Sequence, residues 1–181
     1  ESLHIPVILS QSGLKEVVYN DFHIGEDCDV TIVAGCGIHN GGSGESEHSG
    51  IHSFFVGKNA KVKYIEKHYG EGEGTGKNVM NPQTIVYLGE GASIQMDTVQ
   101  IKGIDSTSRY TKFVCEKGSE VVVTERLLTH GHQIAESDME IVLDGADAKG
   151  RVISRSVAQD ESIQVFYPRM VGNAECFGHV Q

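Results

Sequence analysis

The sequence predicts an all-β protein, a β-solenoid most simply built as a right-handed parallel β-helix of about six strand-turn-strand units. Three observations lead there. A tight turn between two apolar, alternating stretches recurs with its first residue at positions 25, 57, 89, 116, 144 and 172, a period of about 27 to 32 residues. The flanking stretches alternate with period two, as strands with one buried face do. Helical periodicity is nearly absent, and 22 glycines stand against 3 prolines, a balance suited to many tight turns.

The clearest unit is Phe54-Phe55-Val56-Gly57-Lys58-Asn59-Ala60-Lys61-Val62-Lys63-Tyr64-Ile65-Glu66. Val62, Tyr64 and Glu66 share one face, opposite Lys61, Lys63 and Ile65. The turn carries Gly or Asn because a positive φ costs them least, and the Ala, Ser or Cys that follows fits a crowded inner corner. One two-stranded unit is marginal in water, so the units must stack to bury a continuous core. In chain order, residues 5–9 and 16–19 read as the two strands of a first edge, separated by a polar turn at 10–13. Residues 34–50 and 69–81 are Gly-rich and read as irregular insertions between units, while Pro82 and Pro168 suit strand starts or an edge. At 181 residues the chain is one domain, residues 1–181. Its start at Glu1 and stop at Gln181, within the last unit, suggest a segment of a longer chain.

A formal charge of −10 argues against a nucleic-acid partner, which would need a clustered basic surface. No apolar run is long enough to span a membrane as a helix, and the N-terminus lacks signal-peptide zones. Cys28, Cys36, Cys115 and Cys176 are scattered, without a C-x-x-C pair, which suits reduced thiols and a cytoplasmic location.

Three constellations carry possible chemistry. The run from Gly70 to Asn78 lacks the first Gly and the terminal hydroxyl of a phosphate loop and reads as an acidic loop. His130, His132 and Glu136 have the H-x-H-x-x-x-E spacing with which cupin jelly rolls hold a divalent metal, and a metal-dependent cupin-like enzyme is the alternative function. Cys36, His39, His48 and His52 offer thiolate and imidazole donors for zinc or an iron-sulfur cluster, set against a reading of all four as polar loop or solvent-facing residues. No nucleophile elbow or Cys-His pattern for covalent catalysis is present.

From about Ser46 to Gln181 the chain resembles the β-helix core of the SufB/SufD proteins, scaffold subunits of the SUF iron-sulfur cluster assembly machinery. The residues that carry the likeness are Gly50-Ile51-His52-Ser53-Phe54-Phe55-Val56-Gly57, Val62-Lys63-Tyr64-Ile65-Glu66-Lys67-His68-Tyr69-Gly70-Glu71-Gly72, Thr98-Val99-Gln100 and Gly178-His179-Val180-Gln181. The resemblance implies a scaffold without catalytic turnover of its own, holding sulfur and iron at an interface with a second SufB/SufD-like subunit or in a homodimer. It also implies a SufC-like ABC ATPase as partner, and a transient iron-sulfur cluster in the full-length protein but none bound to this segment. In the family's Y-x-E-G-C segment a Cys handles sulfur; Tyr64, Glu66, Lys67 and His68 match that segment, so His68 stands where the Cys would be. An imidazole there could ligate iron or pass a proton. Gln100 matches the Gln of the family's sulfur path, and equally suits a buried amide satisfying backbone groups between rungs. The implied pathway residues are therefore His68, Glu66 and Gln100, with Cys36, His39, His48 and His52 ranked below them; the family's assembly-site Cys would follow directly after Gln181.

Overall fold

The computed structural model describes residues 2–181, and all regular structure among them is strand. The strands are β1 (Ser2–Leu9), β2 (Lys15–Ile24), β3 (Asp29–His39), β4 (Ser46–Val56), β5 (Lys61–Glu71), β6 (Asn78–Met80), β7 (Gln83–Leu88), β8 (Ser93–Gln100), β9 (Ser106–Cys115), β10 (Glu120–Thr129), β11 (Ile134–Leu143), β12 (Lys149–Ala158), β13 (Ile163–Gly172) and β14 (Phe177–Val180).

One sheet runs β1-β3-β5-β8-β10-β12-β14 and the other β13-β11-β9-β6-β4-β2, with β7 between β4 and β9. Every pairing is parallel. A chain that lays one strand in each sheet per turn while climbing produces this order, so the molecule is a β-solenoid of two facing sheets. Val30 pairs with Val62, Val62 with Ile94, Ile94 with Val121 and Val121 with Gly150, which is the sequence period expressed as rungs. The antiparallel jelly roll that a cupin requires is ruled out by the same pairings.

The six recurrent turns all lie on one edge, carrying the chain from the second sheet to the first. Their conformation refines the reason for their glycines. Positive φ falls later in the turn, at Asp27 (56°), Asn59 (56°), Gly91 (67°), Gly118 (65°) and Asp147 (62°). The leading glycine serves close stacking instead: a Cβ on Gly57 would lie 2.8 Å from the amide nitrogen of Glu26 and 2.9 Å from the carbonyl oxygen of Ile24 in the rung beside it. Stacked turns are stitched by Gly57 N–H to Ile24 O (2.8 Å) and Asn59 N–H to Glu90 O (2.9 Å), and Asn59 Nδ2 donates to Asp27 Oδ1 at 3.1 Å. Ala60, Ala92, Ser119 and Ala148 form the inner corner, all with no exposed surface.

The Gly-rich stretches depart from the sequence reading. Residues 34–39 continue β3 and residues 46–50 open β4, leaving only 40–45 irregular; likewise 69–71 belong to β5 and 78–80 to β6. Ladder bonds from both neighbours outweigh glycine's poor strand propensity here. Gly37 has a packing reason as well, since a Cβ there would collide with the ring of Tyr69 on β5. Pro168 sits inside β13, at the end of its sheet, where its missing N–H interrupts no ladder on the outer side.

Across the rungs, from the tight-turn edge to the opposite one, the interior divides into three. Beside the tight turns lies an apolar core that includes Phe54, Tyr64, Val86, Leu88, Met96, Phe113, Val123 and Ile141. A smaller apolar plug of Leu9, Cys36, Ile38, Met80 and Ile104 closes the far side. Between them the same inward positions carry polar and charged side chains.

Candidate internal polar site

Strand phase alone decides which polar residues enter. On β5 the inward set Val62, Tyr64, Glu66 and His68 continues without a break from apolar to charged. On β9, counting back by two from buried Cys115 and Phe113 gives Thr111, Arg109 and Thr107, all buried. The two strands belong to opposite sheets, so Glu66 and Arg109 meet across the interior.

Arg109 Nη1 donates to Glu66 Oε1 at 2.9 Å, and His68 Nε2 lies 2.7 Å from the same oxygen. Arg109 Nη2 is 3.1 Å from His68 Nδ1, and a guanidinium can only donate, so Nδ1 accepts and Nε2–H donates to Glu66. Both ring nitrogens of His68 are thereby occupied. Tyr64 donates its hydroxyl to Glu66 Oε2 at 3.1 Å; with that proton spent, His52 Nδ1–H must be the donor in its 2.8 Å bond to the Tyr64 oxygen. On the far side Arg109 Nε stands 4.0 Å from Glu125, which accepts from Ser137 (2.9 Å) and Ser154 (3.3 Å). Gln100 and Thr107 form a reciprocal pair at 2.8 and 3.1 Å.

Burial by itself pushes the Glu66 carboxyl up, but Arg109 first and His68 next outweigh it and hold Glu66 well below the usual carboxylate range. Burial opposes the Arg109 charge, and Glu66 with Glu125 restores it. The Tyr64 hydroxyl is raised by burial and by the carboxylate beside it. The site is therefore a buried, ionised, hydrogen-bonded network, costly to assemble and costlier to break on one side only.

Of the residues singled out in the sequence, Glu66, His68 and Gln100 all face this interior. Cys36, His48 and His52 join them on β3 and β4, buried rather than in a loop or facing solvent. Cys36 is the Cα partner of His68 in the ladder, and the two line a cavity of about 10 Å³ with His48, Gly50, His52 and Glu66. Burial, with Glu66 adding to it, pushes the Cys36 thiol up to about 12, and burial lowers both His48 and His52 despite the carboxylates near them. His39 does not join: it lies on the surface, 3.6 Å from Glu71. The H-x-H-x-x-x-E set does not assemble either, because His130 and His132 occupy an exposed turn, His132 pairs with Glu161 at 3.1 Å, and Glu136 points outward from β11. Arg109, Glu125 and Thr107 escaped the sequence reading. Their signal was present, since each falls on the inward phase of its strand once Phe113 or Val123 fixes that phase. Among the described residues, no three His, Cys, Asp or Glu side chains stand at metal-ligating spacing.

A parallel two-sheet solenoid with an ionised, hydrogen-bonded network buried between its sheets defines a β-helical core protein. The chain belongs to the SufBD family: residues 11–172 match the family model described as SUF system FeS cluster assembly, SufBD core domain. It is similar to an iron-sulfur cluster assembly SufBD family protein of Archaeoglobus fulgidus, 26% identical over 92% of this chain and 44% of the relative. It is also similar to SufBD family proteins of Methanocaldococcus jannaschii (22% identical, 95% of this chain, 54% of the relative) and Methanothermobacter thermautotrophicus strain Winter (22%, 96% and 43%). The chain thus spans about half the length of the curated relatives it matches.

Proposed function

We propose that this chain is the rigid core of an iron-sulfur cluster assembly scaffold, without catalytic turnover of its own, in which sulfur and iron are cargo handled along the interior. The reading assigns His68, Glu66 and Gln100 to that route. The observation that carries it is the coincidence, inside one solenoid, of the ionised Glu66-His68-Arg109 network with the Gln100-Thr107 pair. A purely structural interior would be filled with aliphatic side chains at lower cost, since apolar residues commonly replace buried ion pairs without loss of stability. Parallel rungs suit the task because they fix soft donors and polar groups at set separations. The cluster itself is completed elsewhere: Cys36 is the one thiol beside the network, and a cluster needs several thiolates or their equivalents. In this reading the intact protein works in the cytoplasm with a SufC-like ABC ATPase and a second SufB/SufD-like subunit, or as a homodimer.

The test replaces Gln100 with Ala and, separately, His68 with Ala in the intact protein, and measures the activity of iron-sulfur enzymes in cells that depend on it. Loss of that activity with an unchanged far-ultraviolet β signature supports the assignment. Full activity in both variants would reduce the interior network to a packing device.

A further inference from the structure

The network explains Glu66, His68 and Arg109, but not the group next to it, where β3 and β4 bring Cys36, His48 and His52 around the missing side chain of Gly50. A Cβ built on Gly50 would lie 3.1 Å from His52 Nε2 and 3.6 Å from His48 Nε2, so both rings aim that nitrogen at the same vacant spot. Their tautomers follow from their other nitrogens. His48 Nδ1 is 3.1 Å from Glu16 Oε2, and a carboxylate can only accept, so Nδ1 carries the proton and Nε2 a lone pair. His52 Nδ1–H donates to Tyr64, whose own proton goes to Glu66, so its Nε2 is likewise a bare lone pair. Neither Nε2 has a hydrogen-bond partner among the described residues. Cys36 lines the same cavity, which has room for about one water-sized particle.

We propose that Cys36, His48 and His52 form a binding site for a single divalent ion of borderline softness, centred on the space that Gly50 leaves open. One thiolate and two imidazoles are the donor set such ions select, with a fourth position left for an exogenous ligand. The outer contacts have the form that orients metal-bound histidines: each donates its remote N–H, His48 to the Glu16 carboxylate and His52 to Tyr64, which is backed by Glu66. The three donors stand too far apart to ligate in the metal-free arrangement, so binding draws them toward the Gly50 position and releases the Cys36 proton to solvent. Entry is past Glu16, which is half-exposed on the end rung. That the ion in the cell is ferrous iron, as cargo, rests on the function proposed above; the site itself does not.

Titration of the purified chain with Co²⁺ tests it. The expected result is one ion per chain with a thiolate-to-cobalt charge-transfer band, and cobalt-edge X-ray absorption showing one sulfur and two nitrogen donors. Cys36→Ser removes the band. Gly50→Ala keeps all three donors but fills the space, and weakens binding at least about tenfold; Glu16→Ala weakens it about 10- to 100-fold with the band retained. His39→Ala leaves binding unchanged. Absence of a thiolate band in the wild-type chain, a band that persists in Cys36→Ser, or wild-type affinity in Gly50→Ala would overturn the proposal. These readouts do not involve cluster biogenesis, so the site can fail while the role of His68 and Gln100 stands, and the reverse.

Discussion

Replacement of Arg109 by Met is the sharpest test of the interior network. The substitution keeps most of the side-chain volume and removes a cation that donates to Glu66 at 2.9 Å, contacts His68 at 3.1 Å and stands 4.0 Å from Glu125. Arg109 and Glu66 have side-chain exposures of 6% and 2%, so solvent cannot take the place of the lost charge. Breaking one side of such a pair costs about 3–5 kcal/mol, against about 0–1 kcal/mol for an exposed pair. In a chain of this size that corresponds to a melting temperature lower by roughly 6–20 °C. Urea unfolding followed by far-ultraviolet circular dichroism measures it, with an unchanged m-value as the sign that the folded state is intact. The pH dependence adds a second signature. In the wild type the Glu66 carboxyl sits below its unfolded value, so its contribution is fully present above the ordinary carboxylate range and fades only as pH falls through the depressed folded value. Without Arg109 the buried carboxyl prefers to be neutral, and acidification from pH 7 toward 5 stabilises the variant relative to the wild type. The double variant Arg109→Met, Glu66→Gln should recover part of the loss. A cost below about 1 kcal/mol, or a gap that widens on acidification, would refute the electrostatic account of this interior.

Further outcomes follow from the same geometry. Gly57→Ala should destabilise by about 1–3 kcal/mol although its φ is ordinary, because the added Cβ meets the backbone of the adjacent turn, whereas Asn59→Gly at φ 56° should stay within about 0.5 kcal/mol; thermal melts of the two variants check the pair. Ala92→Leu should cost about 1–3 kcal/mol by overfilling the inner corner, read by the same melts. In native protein at pH 8, Cys28 should react with a disulfide reagent first and Cys176 more slowly, while Cys36 and Cys115, both buried and pushed up to about 12, react only on unfolding. Prompt labelling of all four thiols would show an interior far more open than the one described. His132→Ala should leave stability within about 0.5 kcal/mol in urea unfolding, since it touches only an exposed acid.

The repeat was legible in the sequence because a solenoid is built from local units: the turn positions, the alternation beside them and the small residue at the inner corner are each set within a dozen residues. The inward placement of Glu66 followed from the same phase, whereas that of Gln100 came with the family resemblance alone. Residues 34–50 were misread because glycine and scattered polar residues signal a loop locally, while the bonds that make β3 and β4 strands come from β1, β5, β2 and β6, far away in the chain. His48 and His52 consequently moved from the surface to the interior, and His39, three residues from Cys36, stayed outside.

The sequence by itself determined that rungs of two strands pile along an axis, and which face turns inward next to the recurrent turns. Only the tertiary structure decided which inward residues meet: that Arg109 finds Glu66 and His68 across the interior, and that two imidazoles and a thiol converge on Gly50. The physical reason is that alternation is a property of one strand, whereas contact across two facing sheets depends on the register of every rung between them.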